Sequence, residues 1–189
     1  YSFIWGFPAP IILALLIDQL QNLKFKKVVQ TISYLPHFLS VVVIIGILKE
    51  FFASNGIINE AIKAMGGKII PFLVLPEWFR TLYIGSGLWA GLGWGTIIYL
   101  AALSNVDLEL YEAAIIDGAN RFQRVKYISW PAILPTITIT MIFSVRGILG
   151  NDFTKILLLY SPSTYETADV ISTYVYREGL EGGRYEYTT

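Results

Sequence analysis

An all-α, polytopic membrane protein is the fold class this sequence predicts, and three observations predict it. Of its 189 residues 54% are hydrophobic and 15% charged, and the mean hydropathy of +0.56 lies above the ordinary range of a water-soluble domain. Four apolar stretches approach the roughly 20 residues that a helix needs to cross about 30 Å of hydrocarbon. Tryptophan and tyrosine stand near the ends of these stretches, at Tyr1, Trp5, Tyr34, Trp78, Tyr83 and Trp130, where amphipathic rings favour the water–lipid boundary. A buried helix of a soluble protein also reads as an apolar run with prolines near its ends, but four of them in so short a chain leave too little polar surface.

The first expected span covers residues 3–20 and contains Pro8 and Pro10; the second covers 33–52, the third 82–103 and the fourth 132–150. The third is long and free of both charge and proline. Between the first two lies Leu23-Lys24-Phe25-Lys26-Lys27, a loop with three lysines and no acid, which prefers the cytosol. Alternation then puts residues 49–80 outside, 104–130 inside and 151–189 outside, with six Lys or Arg in the shorter inner loops against seven in the longer outer segments. Residues 53–80 carry Asn55-Gly56, Gly66-Gly67, Pro71 and Pro76, breakers that punctuate short helices and turns, and read as a cap over the external face. Tyr1 falls inside an apolar run and Thr189 lacks a basic flank. That pattern is expected of the middle of a longer polypeptide, and no signal peptide is visible.

Charge and composition exclude several functions. A formal net charge of zero gives no global attraction to nucleic acid. The chain has no cysteine, so disulfides, thiolate metal sites and a cysteine nucleophile are absent. His37 is the sole histidine; a metal site needs more ligands, and His37 is expected to be a packed interfacial residue. No Gly-x-Ser-x-Gly elbow and no phosphate-cradling Gly-x-x-x-x-Gly-Lys-Ser/Thr loop occurs. The chain is therefore expected to be non-catalytic, with any ATP hydrolysed by a partner.

The loop between the third and fourth spans is the most informative segment. Residues 108–116 are strong helix formers, with Ser104, Asn105 and Asp107 as candidate caps before them, which predicts a short helix. Glu112, Ala113, Ala114 and Gly118 put small residues on closely spaced turns, so that another protein's backbone can approach. Gly118 can end the helix by taking positive φ, with Ala119-Asn120-Arg121 opening the next element.

Glu112-Ala113-Ala114, three residues, Gly118, nine residues, Ile128, one residue, then Trp130-Pro131 resembles the EAA loop of binding-protein-dependent ABC importer permeases. The departure is Trp130, where leucine is usual. The likeness covers most of the chain: Gly6-Phe7-Pro8-Ala9-Pro10, the run from Gln30 to Phe38 and the run from Asp169 to Arg177 look like the carbohydrate branch, nearest to permeases for oligosaccharides or polysaccharide fragments.

What the resemblance implies is a MetI-like permease core in the bacterial cytoplasmic membrane, with 108–131 as the coupling loop. Full members carry about six spans, so the first and last would lie outside this chain. The short helix would dock in a groove of an ABC ATPase subunit. Glu112 would pair with a basic group there, Ala113 and Ala114 would meet the groove floor, and Asp117 and Gly118 would close the turn. ATP and Mg would bind at that partner and no cofactor at this chain. A second, non-identical permease chain and an extracytoplasmic solute-binding protein would complete the assembly in the lipid bilayer.

A sugar pathway needs aromatic faces and hydroxyl-bonding groups near mid-membrane. Trp89, Trp94 and Tyr99 of the third span and Ser144, Arg146 and Asn151 at the outer end of the fourth are the candidates. The glycines from Gly85 to Gly95 either leave room for a pathway or allow close helix packing. Arg146 either faces a substrate or snorkels to the interface. A secondary, ion-coupled transporter of small polar solutes is the competing reading; it needs titratable groups deep in the spans, and Arg146 does not readily titrate.

Overall fold

Proline placement and local capping decide where this chain breaks. The computed structural model describes residues 1–147, 152–184 and 186, with only the backbone for Arg146, and among the described residues every regular element is helical. The first apolar stretch is divided into α1 (Ser2–Gly6) and α2 (Pro8–Asp18). Pro8 opens α2, a position where its missing N–H is no loss. After Asn22, whose side chain accepts from the Lys24 and Phe25 amides, α3 runs Leu23–Tyr34. A 3-10 turn, Leu35–Phe38, follows, and α4 (Val41–Phe52) starts afresh with Ser40 capping the Val43 amide. The expected continuous span 33–52 is therefore interrupted, because Pro36 has no amide to donate and disfavours helix at the residue before it.

Helix α5 (Ile57–Ala64) precedes α6 (Pro76–Ser104), which begins six residues earlier than the expected 82, so that 76–80 belong to a helix rather than to the cap. At 29 residues, α6 is roughly 43 Å long at 1.5 Å per residue, longer than the hydrocarbon layer. Then come α7 (Leu108–Ile116), α8 (Arg121–Arg124), a π-helical turn (Val125–Ser129) and α9 (Trp130–Gly147). Beyond them lie α10 (Phe153–Leu159), α11 (Tyr165–Ala168) and α12 (Ile171–Val175). Three stretches, Val41–Ala64, Pro76–Ser104 and Arg121–Val145, are long and apolar enough to cross a bilayer, and Ser2–Asp18 is apolar but shorter.

Two compact units share this chain: the described residues of Tyr1–Phe38 with Gly87–Leu149, and those of Leu39–Ser86 with Gly150–Thr189. In the first, Ile11, Ala14, Tyr99, Leu103 and Ile133 form the core. Glycines make its tightest contact: a Cβ at Gly93 would collide with the Ser33 carbonyl, and one at Gly95 would lie 2.9 Å from the Pro10 ring. At Gly85 and Gly91 a Cβ would meet nothing within 4 Å. Close packing thus accounts for Gly93 and Gly95.

In the second unit Ile45, Leu48, Phe72, Phe79, Leu82, Ile156, Leu159 and Ala168 are buried together. Several of its polar side chains find partners within it. Asn59, 1% exposed, donates to the Ala53 and Ile70 carbonyls and accepts from the Ile70 amide, each at 2.9 Å. Asp169 and Arg177 form a two-pronged ion pair at 2.6 and 3.3 Å, and the guanidinium lies 4.2 Å from the centre of the Tyr165 ring. That pairing holds the Asp169 carboxyl below its ordinary value of 3.8.

Candidate functional site

The segment from Ser104 to Pro131 is built almost wholly from capping. The Ser104 hydroxyl and the Asn105 amide turn back to the Ala101 carbonyl and end α6. Asp107 then accepts from the Glu109 amide at 3.0 Å and opens α7, satisfying one of the donors that every helix start leaves unpaired. At the far end Gly118 takes φ +78°, its amide donates to Ile115 and that of Ala119 to Ala114 at 3.0 and 2.8 Å. This paired closure needs a residue in the left-handed region, which explains why glycine stands at 118. Asn120 and Gln123 exchange side chain-to-amide bonds at 2.9 and 2.8 Å and start α8.

The resulting helix buries none of its residues. Glu112, Ala113, Asp117 and Gly118 are exposed and Ala114 half-buried. Ile115 and Ile116 are 55% and 86% exposed. A side-chain hydrogen bond ties the helix down: the Tyr111 hydroxyl lies 2.9 Å from Oγ of Ser129. Burial pushes the Tyr111 phenol above its ordinary value of 10.0, and the Ser129 hydrogen bond draws it partly back. Beside it opens a cleft of about 360 Å³ lined by Asp18, Lys26, Leu103, Tyr111, Arg121 and Arg124 among others. Asp18 and Lys26 are 3.9 Å apart, and Nε of Arg124 is buried without a hydrogen-bond partner.

Of the expected pathway residues, Trp89, Trp94, Tyr99 and Ser144 have described side chains. Tyr99 is 4% exposed and its hydroxyl meets Thr140 at 2.8 Å, so it packs α6 against α9. Ser144 donates to the Thr140 carbonyl within its own helix. Trp89 and Trp94 are 45% and 47% exposed. Trp94 is stacked on His37 with centroids 4.4 Å apart and planes 5° from parallel, and Phe38 meets it edge-on at 5.9 Å. His37 itself is exposed and lies against the middle of α6 rather than at a span's edge. Asn151 and the side chain of Arg146 lie outside the described residues.

Sequence reasoning missed the His37–Trp94 stack, the Tyr111–Ser129 bond and Lys155. The Lys155 ammonium, 7% exposed, donates to the Tyr83 carbonyl at 2.7 Å and sits 4.4 Å from that ring's centre. Burial pushes it down to about 8, opposed by Asp152. A lone lysine in Phe153-Thr154-Lys155-Ile156-Leu157 was the signal available.

Only helices among the described residues, three stretches long and apolar enough to span, and a capped helix on the connection between two of them make this a polytopic membrane protein, and its fold is that of the MetI-like permeases. The chain belongs to the family described as "Binding-protein-dependent transport system inner membrane component", whose profile matches residues 5–184. It is 41% identical over 187 residues to Protein LplB of Bacillus subtilis (strain 168), covering 98% of this chain and 59% of that protein. It is 43% identical over 184 residues to the polygalacturonan/rhamnogalacturonan transport system permease protein YteP of the same organism, covering 97% and 57%. Among solved structures it is similar to a chain of a bacterial ABC transporter involved in import of the acidic polysaccharide alginate, at a TM-score of 0.92 and 46% identity, over 98% of this chain and 65% of that one. The chain thus spans less than two thirds of the length of these relatives. Members of this family are transport permeases rather than catalytic subunits.

Proposed function

We propose that this chain forms part of the translocation pathway of an ATP-driven importer for oligosaccharides or polysaccharide fragments, and that α7 is its coupling helix. The carrying observation is the geometry of 107–120: a nine-residue helix, capped at both ends and exposed along its length, bearing Glu112-Ala113-Ala114 and turned by Gly118. Helix ends closed by the chain's own caps make a body that can move as a unit, and small residues let a partner's surface come close. On this reading an ABC ATPase subunit, which holds the ATP and Mg, grips α7, with Glu112, Ala113, Ala114, Asp117 and Gly118 at the contact. Closure of the ATPase pair displaces the helix as a rigid body and re-orients the spans.

The substrate side rests on likeness and on exposed aromatic surface. The similar structures concern alginate, described as acidic, including one in complex with a periplasmic protein bound to alginate pentasaccharide. An external solute-binding protein and a second, non-identical permease chain accordingly complete the assembly in the bacterial cytoplasmic membrane. Trp89 and Trp94 offer ring faces for sugar stacking, and the His37–Trp94 stack lies beside a helix break at Pro36. Broken helices in transporters are tolerated where they line a water-filled cavity. Arg146 and Asn151 are assigned to the outer part of the same route, where Arg146 would face an acidic sugar. Tyr99 and Ser144 shape the wall through Thr140.

Uptake by proteoliposomes holding the assembled importer, with ATP inside and loaded binding protein outside, tests the reading. Glu112→Ala and Gly118→Val are expected to lower ATP-driven uptake at least about tenfold, the loss of roughly 1.4 kcal/mol of coupling. Uptake that ignores ATP and collapses with the proton gradient would replace the reading by that of a secondary transporter.

A further inference from the structure

The Tyr111–Ser129 pair ties the exposed helix α7 to the helical segment that leads into a long span. α7 buries no residue of its own, whereas Ser129 is 0% exposed and its hydroxyl lies 2.9 Å from that of Tyr111, 18 residues away in sequence. Ser129 closes the π-helical turn Val125–Ser129, which leads into α9 at Trp130. Pro131 explains that turn: without an amide it cannot donate to the Tyr127 carbonyl, and the helix widens by a residue, with the Trp130 amide reaching Val125 instead. Helical turns are continuous from Arg121 to Gly147, so a displacement applied at Ser129 acts on the foot of a rod.

We infer that Tyr111 is a positioning residue that transmits movement of the coupling helix into α9 through its hydrogen bond to Ser129, an inference that rests on the importer reading above. The covalent route from α7 to α9 passes through Gly118 at φ +78°, and glycine is the residue least able to resist a swing. A link through the backbone alone would let α7 tilt without pulling on α9. The hydroxyl pair closes that open angle: two arms, α7 and the segment from Asn120 to Ser129, are joined at Gly118 and braced at their far ends. The brace is short and directional, and its Ser129 end is fully buried, where lower dielectric strengthens a hydrogen bond. On the importer reading neither hydroxyl is among the groups assigned to the substrate or to the ATPase contact, so its loss is expected to alter how far motion is passed on rather than what is bound.

The quantity that reads this is substrate imported per ATP hydrolysed in proteoliposomes, a ratio in which differences in abundance and assembly cancel. Tyr111→Phe removes one oxygen and keeps the ring; Ser129→Ala removes the bond from the other side. Each is expected to lower the ratio roughly two- to tenfold, the range that one hydrogen bond commands, and the double variant is expected to fall no further than either single one. A ratio unchanged in either single variant, or losses that multiply in the double variant, overturns the inference while leaving the importer reading in place. Unmutated chains that import substrate without consuming ATP would remove both.

Discussion

The connection between α4 and α6 and the connection between α6 and α9 are both short helices bounded by turns, yet they are stabilised in opposite ways. In the first, Asn59 is buried and uses three hydrogen bonds to fasten α5 to the Ala53 and Ile70 backbones, and Phe72 stacks edge-on with Phe52 and Trp78. Both expose apolar side chains, Met65 at 80% in the first and Ile116 at 86% in the second, but α7 buries none of its residues and stands next to an Arg124 Nε that finds no partner. A segment that satisfies itself is finished when the chain has folded. A segment whose helix buries none of its residues and which leaves a buried donor orphaned, while capping its own helix ends, has the form of one completed by another surface.

The sharpest way to break this contrast is to remove Asn59. Asn59→Ala strips the Ile70 amide of its partner in a buried site, while the Ala53 and Ile70 carbonyls keep the Gly56 and Phe72 amides; the cost is about 2 kcal/mol, and thermal unfolding in detergent should show a clear drop in midpoint. A midpoint unchanged would mean that the first connection is not self-supporting. The next effect is smaller and depends on pH. Arg177 holds the Asp169 carboxyl below its ordinary value of 3.8, so the pair's contribution is fully present above that value and disappears as pH falls through the lower, folded-state one. Asp169→Asn should therefore cost about 1 kcal/mol at neutral pH, and the gap from the unmutated chain should close under acid conditions below the usual carboxylate range. A gap that persists there would show that the ion pair is not its source. Smallest of all is Ile116→Ser, expected within about 0.5 kcal/mol of the original stability. The same change should weaken co-purification with the ATPase subunit. A large loss of stability would place Ile116 in this chain's own core and undo the comparison.

How much of this was legible in the sequence follows from which forces are local. The short helix at 108–116, its cap at Asp107 and the positive φ of Gly118 depend on contacts within four residues, and all could be read from residue types. Interruptions at Pro8 and Pro36 are equally local, though the apolar run from Ser33 to Phe52 masked the second, because hydropathy does not register a missing amide. Pro76 extended α6 beyond the apolar stretch for the same reason, since charge at Glu77 and Arg80 ends a hydrophobic run without ending a helix.

Contacts between distant residues were not legible. That Tyr99 reaches Thr140, or that His37 lies flat on Trp94, depends on how α6 packs against its neighbours, and Gly93 decides that by admitting the Ser33 backbone. Glycine spacing announced that something approaches α6, without naming which segment. Lys155 shows the same limit: a lysine in an apolar run reads as an error of pattern until Tyr83 supplies the carbonyl and ring that hold it.

Because the chain contains no cysteine, one introduced thiol tests the central claim directly. Ala113→Cys in the permease pair without its ATPase should react with a membrane-impermeant maleimide only from the cytosolic face, and the reaction should be blocked once the ATPase subunit is bound. Labelling from the outer face of intact cells, or labelling indifferent to the ATPase, would contradict the assignment of α7 as the coupling helix.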